Sequence, residues 1–201
     1  MGQRLTQPSQ LATLALSLSH NGDRPTIVAI SGFGGAGKTT LALLLRDELP
    51  GAVVVHGDEF MRTRPGTERS GDWGSMDRDR LLRQVLAPTR RGEAAKYQRY
   101  DSKSGAPEPW ESLEGATVVV VEGIGLFHPD LVASFDLRVW IDVDLDTATQ
   151  QGMWRDRHVF NNPQVELWDR VWKPNDAEFF HRYRPDQAAD VMYAPAPRPL
   201  S

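Results

Sequence analysis

Short apolar runs punctuate the chain at intervals. Thr26–Ile30 is β-branched except for Ala29 and lies between Pro25 and a glycine cluster, the pattern of a strand buried on both faces. Ala52–Val55, Thr117–Val121 and Leu137–Val143 repeat it, and Ala189–Tyr193 reads as one last short strand. Between these runs the period becomes helical. Leu11, Leu14 and Leu18 mark an amphipathic helix, and Leu41, Leu44, Leu45 and Leu49 mark a second, stopped by Pro50-Gly51. Leu81, Leu82, Val85 and Leu86 give a third that ends before Pro88. Asp146 is placed to cap a helix running to about His158; Asn161-Asn162-Pro163 breaks it, and another helical stretch follows from about Gln164 to His181. Residues 61–76 read as a loop and 96–115 as irregular.

Continuous apolar strands that alternate with helices predict an α/β fold, an open parallel sheet with helices on both faces. The expected organisation is a single domain over 1–201. It comprises a helical extension at 1–24, a helical lid region at about 146–181 and a flexible tail at 194–201.

Composition narrows the function. Of 201 residues, 40% are apolar and 25% charged, the balance of a globular protein with a sizeable core. There are no cysteines, which removes thiolate catalysis, Cys-held zinc and iron–sulfur clusters. Lys and Arg total 23 against 27 Asp and Glu, a net charge of −4, so a phosphate-coating nucleic-acid binder is not expected. The apolar run at Thr117–Val121 ends at Glu122, far short of the ~20 residues that span a bilayer, and Leu11–Leu18 lacks the flanks of a signal segment. The expectation is a cytoplasmic protein with neither nucleic-acid nor membrane partners; a homo-oligomer stays open.

Gly32-Phe33-Gly34-Gly35-Ala36-Gly37-Lys38-Thr39 completes the pattern G-x-x-x-x-G-K-[ST] between a predicted strand and a predicted helix. Glycines let the backbone turn so that successive N–H groups point at phosphate oxygens, and the following helix adds the positive end of its dipole. In such a loop Lys38 reaches the β- and γ-phosphates of ATP, Thr39 ligates Mg²⁺, and Thr40 is placed to donate to the α-phosphate. Two acids follow strand ends, where ligands sit in an open parallel sheet: Asp58 after Ala52–Val55 and Glu122 directly after Thr117–Val121. If those strands flank the first, both carboxylates converge on the γ-phosphate, one accepting the proton of an attacking hydroxyl and the other orienting Mg²⁺. Arg155 or Arg157, two apart on one helix, could meet the charge of the transferring phosphoryl group. Trp73 and Tyr100 are placed to stack on a planar substrate. Asp142-x-Asp144-x-Asp146 lacks the glycine and closing glutamate of a calcium loop, and no N-K-x-D guanine motif follows the strands.

In its ordered motifs the sequence resembles the uridine kinase-like family of P-loop kinases, the phosphoribulokinase/uridine kinase/pantothenate kinase group. Ile30–Thr39 is similar to its Walker loop, Asp58-Glu59-Phe60-Met61 to its D-x-F-Y stretch, Met76-Asp77 to its F-D element, Tyr100-Asp101 to its Y-D segment and Glu122-Gly123-Ile124 to its E-G-[IV]. Trp154-Arg155-Asp156 resembles the start of its lid helix, and the likeness covers about residues 25–192. It departs at Met61 and Met76, which stand where tyrosine and phenylalanine are usual. His158-Val159-Phe160-Asn161-Asn162 replaces the E-R-G-R-D lid. The resemblance implies an ATP-dependent kinase that transfers the γ-phosphate to a small-molecule hydroxyl, the expected acceptor being a nucleoside, the 5′-OH of uridine or cytidine. Asp58 would be the base, Glu122 and Thr39 would organise Mg²⁺, and Lys38 and Arg155 would steady the phosphoryl group. Asp58, Met61, Met76, Tyr100 and Asp101 would hold the acceptor. Pantothenate, a sugar or a specialised metabolite as acceptor, and a nucleotide-binding regulatory module, are the alternatives.

Overall fold

Six strands lie side by side in one parallel sheet, in the order β1 (Gln3–Leu5), β8 (Val191–Tyr193), β7 (Leu137–Ile141), β2 (Thr26–Ser31), β6 (Val118–Glu122) and β3 (Ala52–His56). A separate antiparallel hairpin pairs β4 (Lys96–Tyr100) with β5 (Pro107–Ser112). This is a computed structural model, and it describes residues 2–20, 22–62, 67–100 and 106–196. Every residue of β2 and β6 is buried, so both faces of the sheet centre are covered, as the continuous apolar runs require.

The covering helices are α1 (Pro8–Ser17), α2 (Lys38–Glu48), α3 (residues 78–90), α4 (Pro129–Val132), α5 (Leu145–His158), α6 (residues 165–183) and α7 (Pro185–Ala188). Helix α2 packs on α1 and on strands β2, β3 and β6, burying Leu41, Ala42 and Leu45. Two ion pairs fix strand starts in register. Arg24 holds both oxygens of Asp136 at 2.7 Å, and the same carboxylate accepts from the Ile27 N–H at 2.9 Å, so β2 and β7 begin together. Arg138 and Asp190 do the same for β7 and β8, with contacts of 2.6 and 3.0 Å.

The structure departs from the sequence reading in four places. The segment 1–24 is not purely helical: β1 forms the edge of the sheet beside β8. The cap of α5 is Asp144, whose carboxylate accepts from Thr147 N at 2.8 Å, rather than Asp146 inside the helix. Residues 96–112 form the hairpin, anchored by Tyr97 packing on Phe60 and by Arg80 donating to the Gln98 carbonyl at 2.8 Å. Helix α3 runs through Pro88 to Arg90. It does so because residues 82–86 form a π turn, with Ala87 N donating to the Leu82 carbonyl five residues back. The wider turn displaces the carbonyl that the proline ring would strike. The same device recurs in α6, where a π turn at 168–172 precedes Pro174.

Candidate active site

The loop 32–37 leaves the carboxyl end of β2 and enters α2, with β6 alongside: Gly123 N donates to the Ile30 carbonyl at 3.1 Å. Gly37, at φ +99°, turns the chain into the helix. Gly35, at φ +83°, lies so close to α5 that a Cβ there would stand 2.1 Å from the Ala148 carbonyl oxygen. Bare backbone is therefore required on both counts. The Lys38 ammonium folds over the loop and donates to the carbonyls of Gly32 at 3.2 Å and Phe33 at 2.8 Å. The loop is thus already shaped as a cradle and lies at the positive end of the dipole of the eleven-residue α2.

Glu122 ends β6 and is 6% exposed. Its Oε1 accepts from the Thr39 hydroxyl at 3.1 Å and meets His56 Nδ1 at 2.7 Å. That bond to Glu122 is the main reason the His56 imidazole titrates above its ordinary value, with Asp58 and Glu59 adding to it. His56 was not singled out from sequence, because a histidine closing a strand carries no spacing signal of its own. Asp58 sits on the short 3₁₀ turn Gly57–Phe60 after β3. Strand β3 does not flank β2 as anticipated, since β6 lies between them. Asp58 still opens onto the same cleft as Lys38, Thr39 and Glu122. Enclosure by the cleft walls, and then the Glu122 charge, push its carboxyl above the usual range; Lys38, His56 and Arg155 pull it back.

The cleft has a volume of about 560 Å³. The phosphate loop forms one end through Gly34, Gly35, Gly37, Lys38, Thr39 and Thr40. Aromatic and apolar groups, among them Met61, Trp73, Trp154, Phe160, Trp168 and Trp172, form much of the rest. Gly32 and Ala36 lie in the base of the loop rather than on the cleft wall, Gly32 facing Ile141. Met76 is a correction to the expected acceptor set. It is 2% exposed within the core and reaches the site only through a backbone bridge to Met61. Asp101 and the Tyr100 side chain lie outside what the structure describes, as do residues 197–201 of the expected tail.

Arg155 reaches the cleft, its guanidinium oriented by Asp156 Oδ1 at 3.0 and 2.7 Å and lying over the Phe160 ring. Arg157 is exposed and does not line it. Asp156 also accepts from Trp168 Nε1 at 2.8 Å, so α5 and α6 are tied together beside the loop.

Asp176 was missed altogether. It lies on α6, is 4% exposed, and accepts from Gly34 N at 2.7 Å and Trp73 Nε1 at 3.1 Å. Burial pushes its carboxyl up to about 6 despite those donors and the nearby Lys38. Within Lys173-Pro174-Asn175-Asp176-Ala177-Glu178 it reads as one more acid on a solvated face.

The pair Thr39 hydroxyl and Glu122 carboxylate suits Mg²⁺, which takes hard oxygens at few protein positions and completes its shell with water and phosphate. No group of three His, Cys, Asp or Glu side chains that could hold a metal ion occurs among the described residues. Among the same residues, no helix is long and apolar enough to cross a membrane.

Comparison with known proteins finds relatives at low identity. The profile of the phosphoribulokinase / uridine kinase family matches residues 72–159, and that of the zeta toxin family matches residues 12–77. A uridine kinase of Saccharomyces cerevisiae is 26% identical over 171 residues, covering 77% of this chain but 34% of that protein, so the chain spans about a third of its length. A nicotinamide riboside kinase of Schizosaccharomyces pombe is 28% identical over 172 residues, covering 68% of this chain and 74% of the relative. Among solved structures, a possible uridine kinase from Bacillus stearothermophilus superposes with a TM-score of 0.72 at 17% identity, over 92% of this chain and 96% of that one. The glycine loop, the parallel sheet and the superposition together give the chain the fold of the P-loop kinases, and over residues 72–159 its sequence is similar to the phosphoribulokinase / uridine kinase family.

Proposed function

We propose that the chain transfers the γ-phosphate of ATP to a hydroxyl of a small molecule, and that the acceptor is a ribonucleoside phosphorylated at its ribose 5′-OH. The observation that carries this reading is Asp58, a carboxylate opening into the same cleft as Lys38 and the Thr39–Glu122 pair. A protein that only senses nucleotide has no need of a base there. Mg²⁺, held through Thr39 and Glu122, supplies charge neutralisation for the phosphates. Lys38 holds the β- and γ-phosphates, and Arg155, aimed by Asp156, meets the charge that spreads over the transferring group. Asp58 orients the acceptor hydroxyl and takes its proton; the raised proton affinity of its carboxyl suits that role.

Two features favour a nucleoside. The cleft walls carry Trp154 and Trp172, partly exposed rings that offer flat apolar surface to a planar base. The curated relatives are named for uridine and nicotinamide riboside, both ribonucleosides. The test is ADP release from Mg²⁺·ATP with uridine, cytidine, nicotinamide riboside, pantothenate and simple sugars, with Lys38→Ala as the blank. Stimulation by a nucleoside, absent in the blank, is the expected result. Stimulation by pantothenate or a sugar alone moves the acceptor, and tight ATP binding with no stimulation by any of them favours the regulatory reading.

A further inference from the structure

Asp176 is a buried anion in a place built for another anion. Its Oδ2 accepts at 2.7 Å from Gly34 N, one of the loop amides that a Walker loop turns toward phosphate. It stands in the field of Lys38, the side chain that reaches the β- and γ-phosphates. Its other oxygen takes the indole N–H of Trp73, at 3.1 Å. Trp73, which lines the cleft, is held at φ +53°, in the left-handed region, at the end of the segment 68–73. That segment is tied to the same helix by Asn175, wholly buried, which accepts from Ser70 N at 2.9 Å and donates to the Glu68 carbonyl at 3.0 Å. One turn of α6 therefore touches both the phosphate loop and the cleft wall.

We propose that Asp176 is a γ-phosphate sensor: in the nucleotide-free chain its carboxylate occupies the Gly34 amide, and a bound nucleoside triphosphate displaces it, releasing the Trp73 indole in the same step. The inference rests on the cleft being a nucleotide site. A carboxylate and a terminal phosphate cannot share one N–H donor beside each other without strong repulsion, so the two states exclude one another. A diphosphate ends short of the γ position and leaves the carboxylate in place. Burial raises the proton affinity of the carboxyl despite its two donors and Lys38, so its charge is incompletely compensated there, which makes it the easier of the two anions to displace. Occupancy of the γ site is thereby reported to the wall that would hold the acceptor.

The test compares Kd for ADP and for a non-hydrolysable ATP analogue, by calorimetry, in wild type and Asp176→Asn. Asparagine keeps the shape and removes the charge. The triphosphate is expected to tighten on the order of tenfold in the variant while ADP stays within about twofold, the size of a like-charge repulsion across partly screened protein. In wild type the triphosphate, but not ADP, changes tryptophan fluorescence, and Trp73→Phe abolishes that difference while thermal melting shows the variant folded. Equal shifts for the two nucleotides in Asp176→Asn, or an unchanged triphosphate-specific signal in Trp73→Phe, overturns the sensor and leaves the nucleotide site standing. Wild type that binds neither nucleotide overturns both.

Discussion

Gly152→Ala sets two known effects against each other at one atom. Gly152 lies inside α5, where alanine is favoured over glycine by about 0.8–1 kcal/mol. A Cβ at this position, however, would stand 2.3 and 2.4 Å from the Cζ2 and Cη2 atoms of Trp168. The indole cannot swing aside freely, because its Nε1 is bound to Asp156 at 2.8 Å and its ring meets Trp172 edge-on at 4.9 Å. Overpacking of this kind costs about 1–3 kcal/mol, and a pinned aromatic puts the cost at the upper end. The clash therefore wins, with net destabilisation of about 1–2 kcal/mol, or a fall in Tm of about 2–8 °C for a chain of this size. Urea unfolding followed by circular dichroism reads it directly. In a Trp168→Leu background the ring is gone, and the same substitution should become stabilising by its helix preference alone. If Gly152→Ala stabilises the chain that still has Trp168, the contact between α5 and α6 is not the tight one described, and the reasoning is refuted.

Three further outcomes are expected. Asp58→Asn should leave ATP affinity within a few-fold while lowering the rate of transfer by about 10²–10⁴, the usual reach of a general base, measured as single-turnover phosphorylation. Asp176 has a folded value of about 6 against an ordinary 3.8, so the folded chain binds the extra proton and loses stability as pH rises between those values. That loss is about 3 kcal/mol and is complete above about pH 6; denaturant titrations at pH 4 and pH 7.5 should show it in wild type and not in Asp176→Asn. Asp136 runs the other way. Burial favours its neutral form, but Arg24 and the Ile27 N–H outweigh that and hold its carboxyl below 3.8, so its contribution is present above that value and fades as pH falls through the folded one. Arg24→Gln should cost about 1–3 kcal/mol near neutrality and flatten the acid limb of stability against pH, since it leaves a nearly buried carboxylate short of its main partner.

The central strands and the phosphate loop were legible in sequence because each rests on local chemistry: an unbroken apolar run needs two covered faces, and the glycine pattern permits one backbone path. Features that depend on a distant partner were not. Strand β1 is three residues long and acquires meaning only beside β8. The exposed face of the hairpin, with two prolines and two glutamates in Pro107–Ser112, hides any alternation; only Tyr97 on the opposite strand shows where it packs. Among three aspartates spaced by two, sequence points to Asp146 as the cap of α5, two residues too late, since any of them has the chemistry and the extended backbone that makes Asp144 the cap is not written in the sequence. Pro88 reads as a stop because nothing in the sequence announces a π turn before it. Asp176 and His56 became visible only when the fold brought them to Gly34 and Glu122.

The pairing of β1 with β8 also bears on how the chain is made. Gln3 lies opposite Val191, so during synthesis β1 must wait for a partner about 190 positions later. At roughly 5–20 residues per second that interval is about 10–40 s. The central strands β2, β6, β3 and β7 have all been synthesised by then, and the sheet can assemble around them with its first strand still undocked. Closure of that edge therefore comes after the central strands are in place, and a nascent chain carries an unsatisfied strand edge at β7 until β8 emerges.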